Sequence, residues 1–238
     1  MNPCIVSFFM DNIDKKTVEY QRKVVEKFNV SNVKHYSVKI ACPHAIGIDF
    51  FWKMNGCGVK TVDGIKDVPV LEHDTILILD LDCIPLSTTA IDYYLKKASL
   101  GFLIGNIQRS NHLENNQHVF AAPSAAALSK ETFVKLGMPS ALENQRSDVL
   151  EEYTWAAHNV GVPVEYMMPL RYDAAPVRYD WEKDKSPYWN LADGMPVYGM
   201  GTTYGSHHLG DMFWHNFQIR EPGQQERFWA KCEEVLNG

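Results

Sequence analysis

Several things the chain lacks narrow its class before any motif is read. It has no C-x-x-C pair, and its five cysteines (Cys4, Cys42, Cys57, Cys83 and Cys232) are odd in number and scattered. A disulfide framework or a thiolate zinc site is therefore not expected. Several of these cysteines sit in apolar runs, where the residue behaves as a small hydrophobe, so reduced thiols and a cytoplasmic location are expected. No run approaches the ~18 apolar residues that a membrane span needs. The opening stretch "MNPCIVSFFMD" lacks a basic region, a long apolar core and a small-residue cleavage site, and reads as a first strand rather than a signal peptide. No dense Lys/Arg run is present, and 23 basic residues against 29 acidic leave a net charge of −6. Nucleic acid, whose binding needs clustered cations, is not an expected partner. A phosphorylated small molecule stays open, with a metal cation as the mediator. Internal repeats and low-complexity tracts are also missing.

What is present is ample material for a core. Of 238 residues 45% are hydrophobic and 22% charged, which suits one sizeable α/β domain or two small ones. "CIVSFF" (4–9) is a short β-rich run. A helix over 15–28 follows, with Asp11 or Asp14 as cap, and Val18, Tyr20, Val24, Val25 and Phe28 on one arc. "VKHYSVKI" is a second strand, "PHAIGIDFFWKMN" a helix closed by Gly56, and Ile76–Leu79 a third strand. "TTAIDYYLKKAS" and "GFLIGNI" add another helix and strand. The order strand, helix, strand, helix, strand is that of a doubly wound α/β sheet with strands buried on both faces. Beyond residue 105 the pattern changes. "HVFAAPSAAALSKETFVKLG" reads as a small-residue turn and then a helix from Ser129 to Gly137, and "SDVLEEYTWAAHNVG" as a helix ended by Gly161. "VPVEYMMP" is a short strand, 170–206 is irregular and rich in aromatics and glycine, and "FWAKCEEVL" closes with a helix.

The densest chemistry lies in "DTILILDLDCIPLS" (74–87), where four apolar residues end in Asp80-Leu81-Asp82. Side chains at i and i+2 of an extended segment point the same way, so both carboxylates can leave one strand end together. Open α/β sheets bind ligands at the carboxyl ends of their strands. Two carboxylates meeting there repel unless a cation lies between them. Mg²⁺ or Mn²⁺, with hard oxygen ligands and a habit of holding phosphates, answers that. The plainer alternative is an aspartate pair that caps the next helix.

A hydrophobic strand ending in D-x-D after a strand–helix–strand–helix unit resembles the GT-A fold of nucleotide-sugar glycosyltransferases. Phosphatases of the haloacid-dehalogenase type also end a strand in D-x-D, but near the start of their domain and before Gly-Thr; here Cys83-Ile84 follows. The resemblance covers nearly the whole chain in order and spacing of parts, with only the D-x-D close in letters. It implies a single GT-A-like (Rossmann-like) domain over 1–238, with a doubly wound mixed sheet flanked by helices. Residues 1–86 would form its nucleotide-binding half, 87–206 its acceptor half, and 207–238 a metal-ligand segment and helix.

What the resemblance implies for function is a metal-dependent glycosyltransferase of the hexosyltransferase type. Its partners would be a nucleotide diphosphate sugar donor, with UDP as carrier, and a glycan or other hydroxyl acceptor. In "SDVLEEYTWAAHNVGVPVEYM" the acidic pair is Glu151-Glu152, and Glu152 would be the base of an inverting reaction, with Asp148, one turn earlier, as rival. In "YGSHHLG" the H-x-G spelling makes His208 a third metal ligand beside Asp80 and Asp82, with His207 as rival, whereas His215 in "FWHNF" reads as packed among aromatics. Phe8 (or Phe9) and Asp11 would meet the base or ribose. Trp181, Tyr188 and Trp189 would form an acceptor wall, and Gly194, Gly199, Gly201 and Gly205 would let 170–206 close as a lid. Two other readings stand beside this one: a phosphatase with Asp80 as nucleophile and Asp82 as acid/base, and a non-catalytic nucleotide-sugar-binding protein.

Overall fold

The structure, a computed structural model, describes residues 2–110, 118–173 and 204–238. In chain order its elements are β1 (Pro3–Phe9), α1 (Lys15–Phe28), β2 (Lys34–Lys39), α2 (His44–Met54), β3 (Thr75–Leu79), β4 (Cys83–Pro85), α3 (Ala90–Ser99) and β5 (Leu103–Arg109). There follow β6 (Val119–Ser129), α4 (Lys130–Lys135), α5 (Glu151–Val160), β7 (Val164–Met167), β8 (Pro169–Tyr172), β9 (Tyr204–His208), β10 (Phe213–Asn216) and α6 (Gln224–Asn237). Six strands make one sheet in the order β2-β1-β3-β6-β5-β7, and β4-β10-β9-β8 make a smaller one. Within the large sheet β1 runs parallel to β2 and β3, β5 runs parallel to β7, and β6 is antiparallel to both its neighbours. This is the doubly wound mixed α/β sheet expected from the sequence.

Alternation along the strands explains why helices cover both faces. Cys4, Val6 and Phe8 of β1, with Ile76 and Ile78 of β3, turn toward Ile48, Phe51 and Trp52 of α2 and Tyr153 of α5. Ile5, Leu77 and Leu79 turn the other way, onto Val25 of α1 and Ile91, Tyr94 and Leu95 of α3. The first helix starts at Asp14, whose carboxylate accepts the Lys16 amide. The second, smaller sheet is held by Ile84 and Trp214, which pack with Val24 of α1 and Phe228 and Cys232 of α6. No helix among the described residues is long and apolar enough to cross a membrane.

Three segments differ from their expected form: 170–172 and 204–206, expected to be irregular, lie in β8 and β9, the helix expected over 147–161 begins at Glu151, and the stretch before Ser129 changes type. The small-residue stretch before Ser129 is not a turn but β6, the 11-residue strand at the centre of the large sheet. Alanine is a poor strand former in the open, yet here both faces are covered and Ala121, Ala122, Ala125, Ala126 and Ala127 are all fully buried. Small side chains are needed because the strand bulges: Gly105 pairs with Ala126, but the next residue, Asn106, pairs with Ala122. Pro123, which has no amide to donate, falls in this bulge. A Cβ on Gly105 would lie 2.8 Å from the Cβ of Ala121 and 3.1 Å from its Cα. Gly105→Ala is therefore expected to lower stability by about 1–3 kcal/mol, read from the midpoint of chemical denaturation. Gly58→Ala, where nothing lies within 4 Å of the new methyl, is expected to stay within about 0.5 kcal/mol of the parent.

Candidate functional site

Asp80 and Asp82 sit in the turn between β3 and β4, at the carboxyl end of a fully buried strand that runs parallel to β1 and antiparallel to β6. Three other elements tie down the backbone of that turn. The Asp80 amide reaches the carbonyls of Pro123 and Ser124 in the β6 bulge (both 3.2 Å), and the Cys83 amide closes the turn on the Asp80 carbonyl (3.0 Å). The buried side chain of Gln21 on α1 donates to the Asp80 carbonyl (2.7 Å) and the Cys83 carbonyl (3.3 Å). The Asn216 amide, at the end of β10, donates to the Asp82 carbonyl at 2.8 Å. With the main chain fixed inward, both carboxylates face one cleft.

Two histidines meet them. Nε2 of His44, at the first turn of α2, is 3.2 Å from Asp80 Oδ1, and Nε2 of His215 is 3.5 Å from Asp82 Oδ1. Ligand atoms of Asp80, Asp82 and His215 all lie within 4.8 Å of one another. Burial pushes the Asp80 carboxyl above the usual carboxylate range, His44 opposes that, and the neighbouring Asp82 adds to it. Two carboxylate oxygens and an imidazole, crowded and partly desolvated, form a donor set that suits Mn²⁺ or Mg²⁺, with the nitrogen favouring Mn²⁺.

The histidines beside the aspartates are thus His44 and His215, not His207 or His208. Register explains the difference. Trp214 pairs with His207 across β10 and β9, and Ser206 pairs with His215, so His207 and His215 lie on opposite faces of the small sheet. His207 is instead gripped by Asp173 (2.8 Å), Asp211 (3.3 Å) and Arg171 (3.1 Å). His208 is completely buried with Nδ1 3.0 Å from the Met167 carbonyl, and burial lowers its pKa to about 3.

The cleft around the aspartates measures about 630 Å³. One wall is Gln108, Pro123, Glu143 and Asp148; the other is the strap Phe217–Glu221, which the sequence reading did not pick out. A second, narrower cavity of about 140 Å³ runs from Asp80 and Asp82 toward Phe8, Phe9, Ile13, Ile40 and Ile219. Phe8 is 6% exposed and packs against His44 and Phe51, and Leu81 is equally buried between the two aspartates. Asp11 does not reach this cavity; it is 80% exposed and paired with Lys39. Trp181, Tyr188, Trp189 and the glycines at 194, 199 and 201 lie outside the described residues.

Three acids at the start of α5 have three different surroundings. Asp148 faces the cleft, with Gln108 Nε2 at 3.5 Å and its own Oδ1 accepting the Val149 amide at 2.8 Å. Glu151 is fully buried: it pairs with His118 (2.6 Å), accepts the Ser110 hydroxyl (2.9 Å) and accepts the Asp148 amide (2.7 Å). Glu152 turns away from the cleft to Arg146 (2.6 and 2.8 Å), Ser147 (2.5 Å) and Asn144 (3.0 Å). The Arg146 guanidinium and these hydroxyl and amide donors hold its pKa down at about 2. A carboxylate so engaged is a weak proton acceptor, and geometry brings Asp148, not Glu152, to the aspartate pair.

No protein-family model matches the chain, and no curated protein does. Among solved structures it is similar to the catalytic domain of Drosophila β1,4-galactosyltransferase 7 in complex with xylobiose, at 14% identity, 95% of this chain, 78% of that one and a TM-score of 0.46. It is also similar to galactosyltransferase LgtC in complex with donor and acceptor sugar analogues, at 9% identity, 98% and 95% coverage and a TM-score of 0.46. A third likeness is to a glycosyltransferase involved in glycosylation of the major capsid of PBCV-1, at 11% identity, 98% and 100% coverage and a TM-score of 0.38.

The Glu152 pair makes a pH test. A carboxyl held below its ordinary value of 4.5 stabilises the fold above that pH and loses the contribution as the pH falls through about 2. Arg146 is 57% exposed, so solvent screens the pair. Glu152→Gln is expected to cost about 1 kcal/mol or less at pH 7, with the deficit shrinking between pH 4.5 and 2, read from urea midpoints across that range.

Proposed function

We propose that the protein transfers a glycosyl group from a nucleoside diphosphate sugar to the hydroxyl of an acceptor. The observation that carries this is the Asp80, Asp82 and His215 constellation, with ligand atoms within 4.8 Å, opening on a cleft at the end of a buried strand. Those three residues would hold a divalent cation, Mn²⁺ or Mg²⁺, which supplies charge neutralisation for the departing diphosphate. His44, with Nε2 3.2 Å from Asp80 Oδ1, would help orient that carboxylate.

The chain's own residues do the rest. The apolar slot lined by Phe8, Ile40 and Ile219 would take the base of the donor nucleotide. Asp148 accepts the proton of the acceptor hydroxyl while the hydroxyl oxygen bonds to the anomeric carbon. The bond from that carbon to the β-phosphate oxygen breaks, and its electron pair stays on the diphosphate. Attack in line with the leaving group inverts the anomeric centre. Asp148 supports this role better than Glu152, because it lines the cleft and Glu152 is spent on Arg146. Cleft residues Gln108, Glu143 and Phe217 offer hydrogen bonds and a flat face to a sugar acceptor.

A thermal-shift series with UDP, GDP and their sugars, with and without Mn²⁺, tests the reading. Stabilisation is expected only when metal and nucleotide are both present, and Asp82→Ala is expected to abolish it. Asp148→Asn is expected to keep that stabilisation but to slow transfer about 10²–10⁴-fold. A nucleotide response that ignores Mn²⁺, or survives in Asp82→Ala, would refute the assignment.

A further inference from the structure

Two cavities meet at the aspartate pair, the cleft and the narrow apolar slot, and a third of about 620 Å³, past Met10, Cys42, Leu142 and Val149, adjoins them at His44 and Arg220. The carboxylates are concentrated in the cleft. Asp80, Asp82, Glu143, Asp148 and Glu221 line the cleft alone. Against these five carboxylates the three linings contain one lysine or arginine among the described residues, Arg220, and Arg220 borders all three cavities. Its side chain has no hydrogen-bond or ion-pair partner among the described residues, although acids surround it. It is exposed, at the mouth of the slot where the slot joins the cleft.

Its position is built, not incidental. The strap carrying it is tied at one end by Asn216, whose amide holds the Asp82 carbonyl and whose side chain donates to the Gln224 carbonyl (2.8 Å) at the start of α6. Gln218 adopts φ 64°, a left-handed conformation uncommon outside glycine. The Glu221 amide then bonds back to the Gln218 carbonyl at 2.9 Å, closing a tight turn around Ile219 and Arg220. A strained non-glycine residue held by its surroundings is a feature of functional loops. Here it sets Arg220 on the border shared by the slot and the cleft that holds the Asp80–Asp82 pair.

Charge balance says what belongs there. A divalent ion cancels Asp80 and Asp82 and leaves the two negative charges of a bound donor diphosphate facing three further carboxylates. A third negative charge develops as the glycosyl bond breaks. Planar guanidinium with five donors is the side chain best matched to phosphate oxygens. We infer that Arg220 binds the donor diphosphate between the nucleoside slot and the Asp80–Asp82 pair, and stabilises it as leaving group. The inference rests on the donor reading given under the proposed function and adds the residue that completes the site.

Calorimetric titration with UDP (GDP in parallel) in the presence of Mn²⁺ tests it, with uridine (or guanosine) as the uncharged control. Arg220→Ala is expected to raise the Kd for the diphosphate about ten- to a hundredfold, with uridine binding within about twofold of the parent. Arg220→Lys is expected to recover part of the loss, because it keeps the charge without the fork. The salt dependence of UDP binding is expected to flatten in Arg220→Ala. If Arg220→Ala leaves UDP affinity within twofold while Asp82→Ala abolishes Mn²⁺-dependent binding, the inference fails and the metal reading stands. An equal loss for UDP and uridine would also overturn it, since Arg220 would then act on the nucleoside or the fold. Wild-type protein that binds neither nucleotide in a Mn²⁺-dependent way would remove both.

Discussion

The buried side chain of Gln21 holds the two ends of the turn after β3, donating to the carbonyls of Asp80 and Cys83. A tight turn at the end of a buried strand has main-chain groups that cannot be left unpaired away from water. Gln21 from α1, the bulged carbonyls of Pro123 and Ser124 from β6, and the Asn216 amide from β10 satisfy them from three directions. That leaves Asp80 and Asp82 with nowhere to relax. Two like charges are therefore kept together by hydrogen bonds made elsewhere, the arrangement expected where a site is preorganised for a cation.

Its electrostatic consequence can be sized. Two unit charges about 4 Å apart at an effective dielectric of about 20 repel by roughly 4 kcal/mol. A protein escapes that by taking up a proton or by adding positive charge. Both directions are visible: burial and Asp82 push the Asp80 carboxyl upward, and His44 pulls it back. His215 stands at the other end, beside Asp82. The imidazoles temper the crowding without cancelling it, so a divalent ion remains the counter-charge that fits best. The same balance extends outward, where Glu143, Asp148 and Glu221 add to the negative side and, among the described residues, Arg220 alone answers as a permanent cation in the cleft lining.

Much of the frame was legible in the sequence. The periodic segment 15–28 and the unbroken apolar run 76–79 fold as their patterns dictate, and the D-x-D does follow the end of a buried strand. The central strand β6 was not legible, because five alanines carry no β signal and acquire one only when both faces are covered. The small sheet escaped for another reason: its strands are three to five residues long, too short for alternation to stand out. With the sheet went its consequence. His215 sits among Phe213, Trp214 and Phe217 and reads as core, and only the pairing of β10 with β4 and β9 reveals that it faces Asp82. His207 and His208 had the more suggestive spelling and the wrong face or depth.

The acids at the start of α5 show how far backbone geometry, rather than residue type, decides a role. Asp148, Glu151 and Glu152 fall within five residues, and a helical wheel would place 148, 151 and 152 on one side. Leu150 breaks that wheel: it is fully buried at φ 68°, so the helix begins only at Glu151 and Asp148 belongs to the loop before it. Glu151 then points inward, where it bonds to Ser110 and His118 and also takes the Asp148 amide. His118 in turn stacks on Trp155 one turn along the helix, with ring centroids 3.7 Å apart. Asp148 is thus fixed from behind by a buried carboxylate and left with its own carboxylate toward the cleft. Glu152, the residue that family spelling favours, sits on the outer side with Arg146. A reversed turn at a single leucine separates the acid that faces the cleft from the one that stabilises the fold.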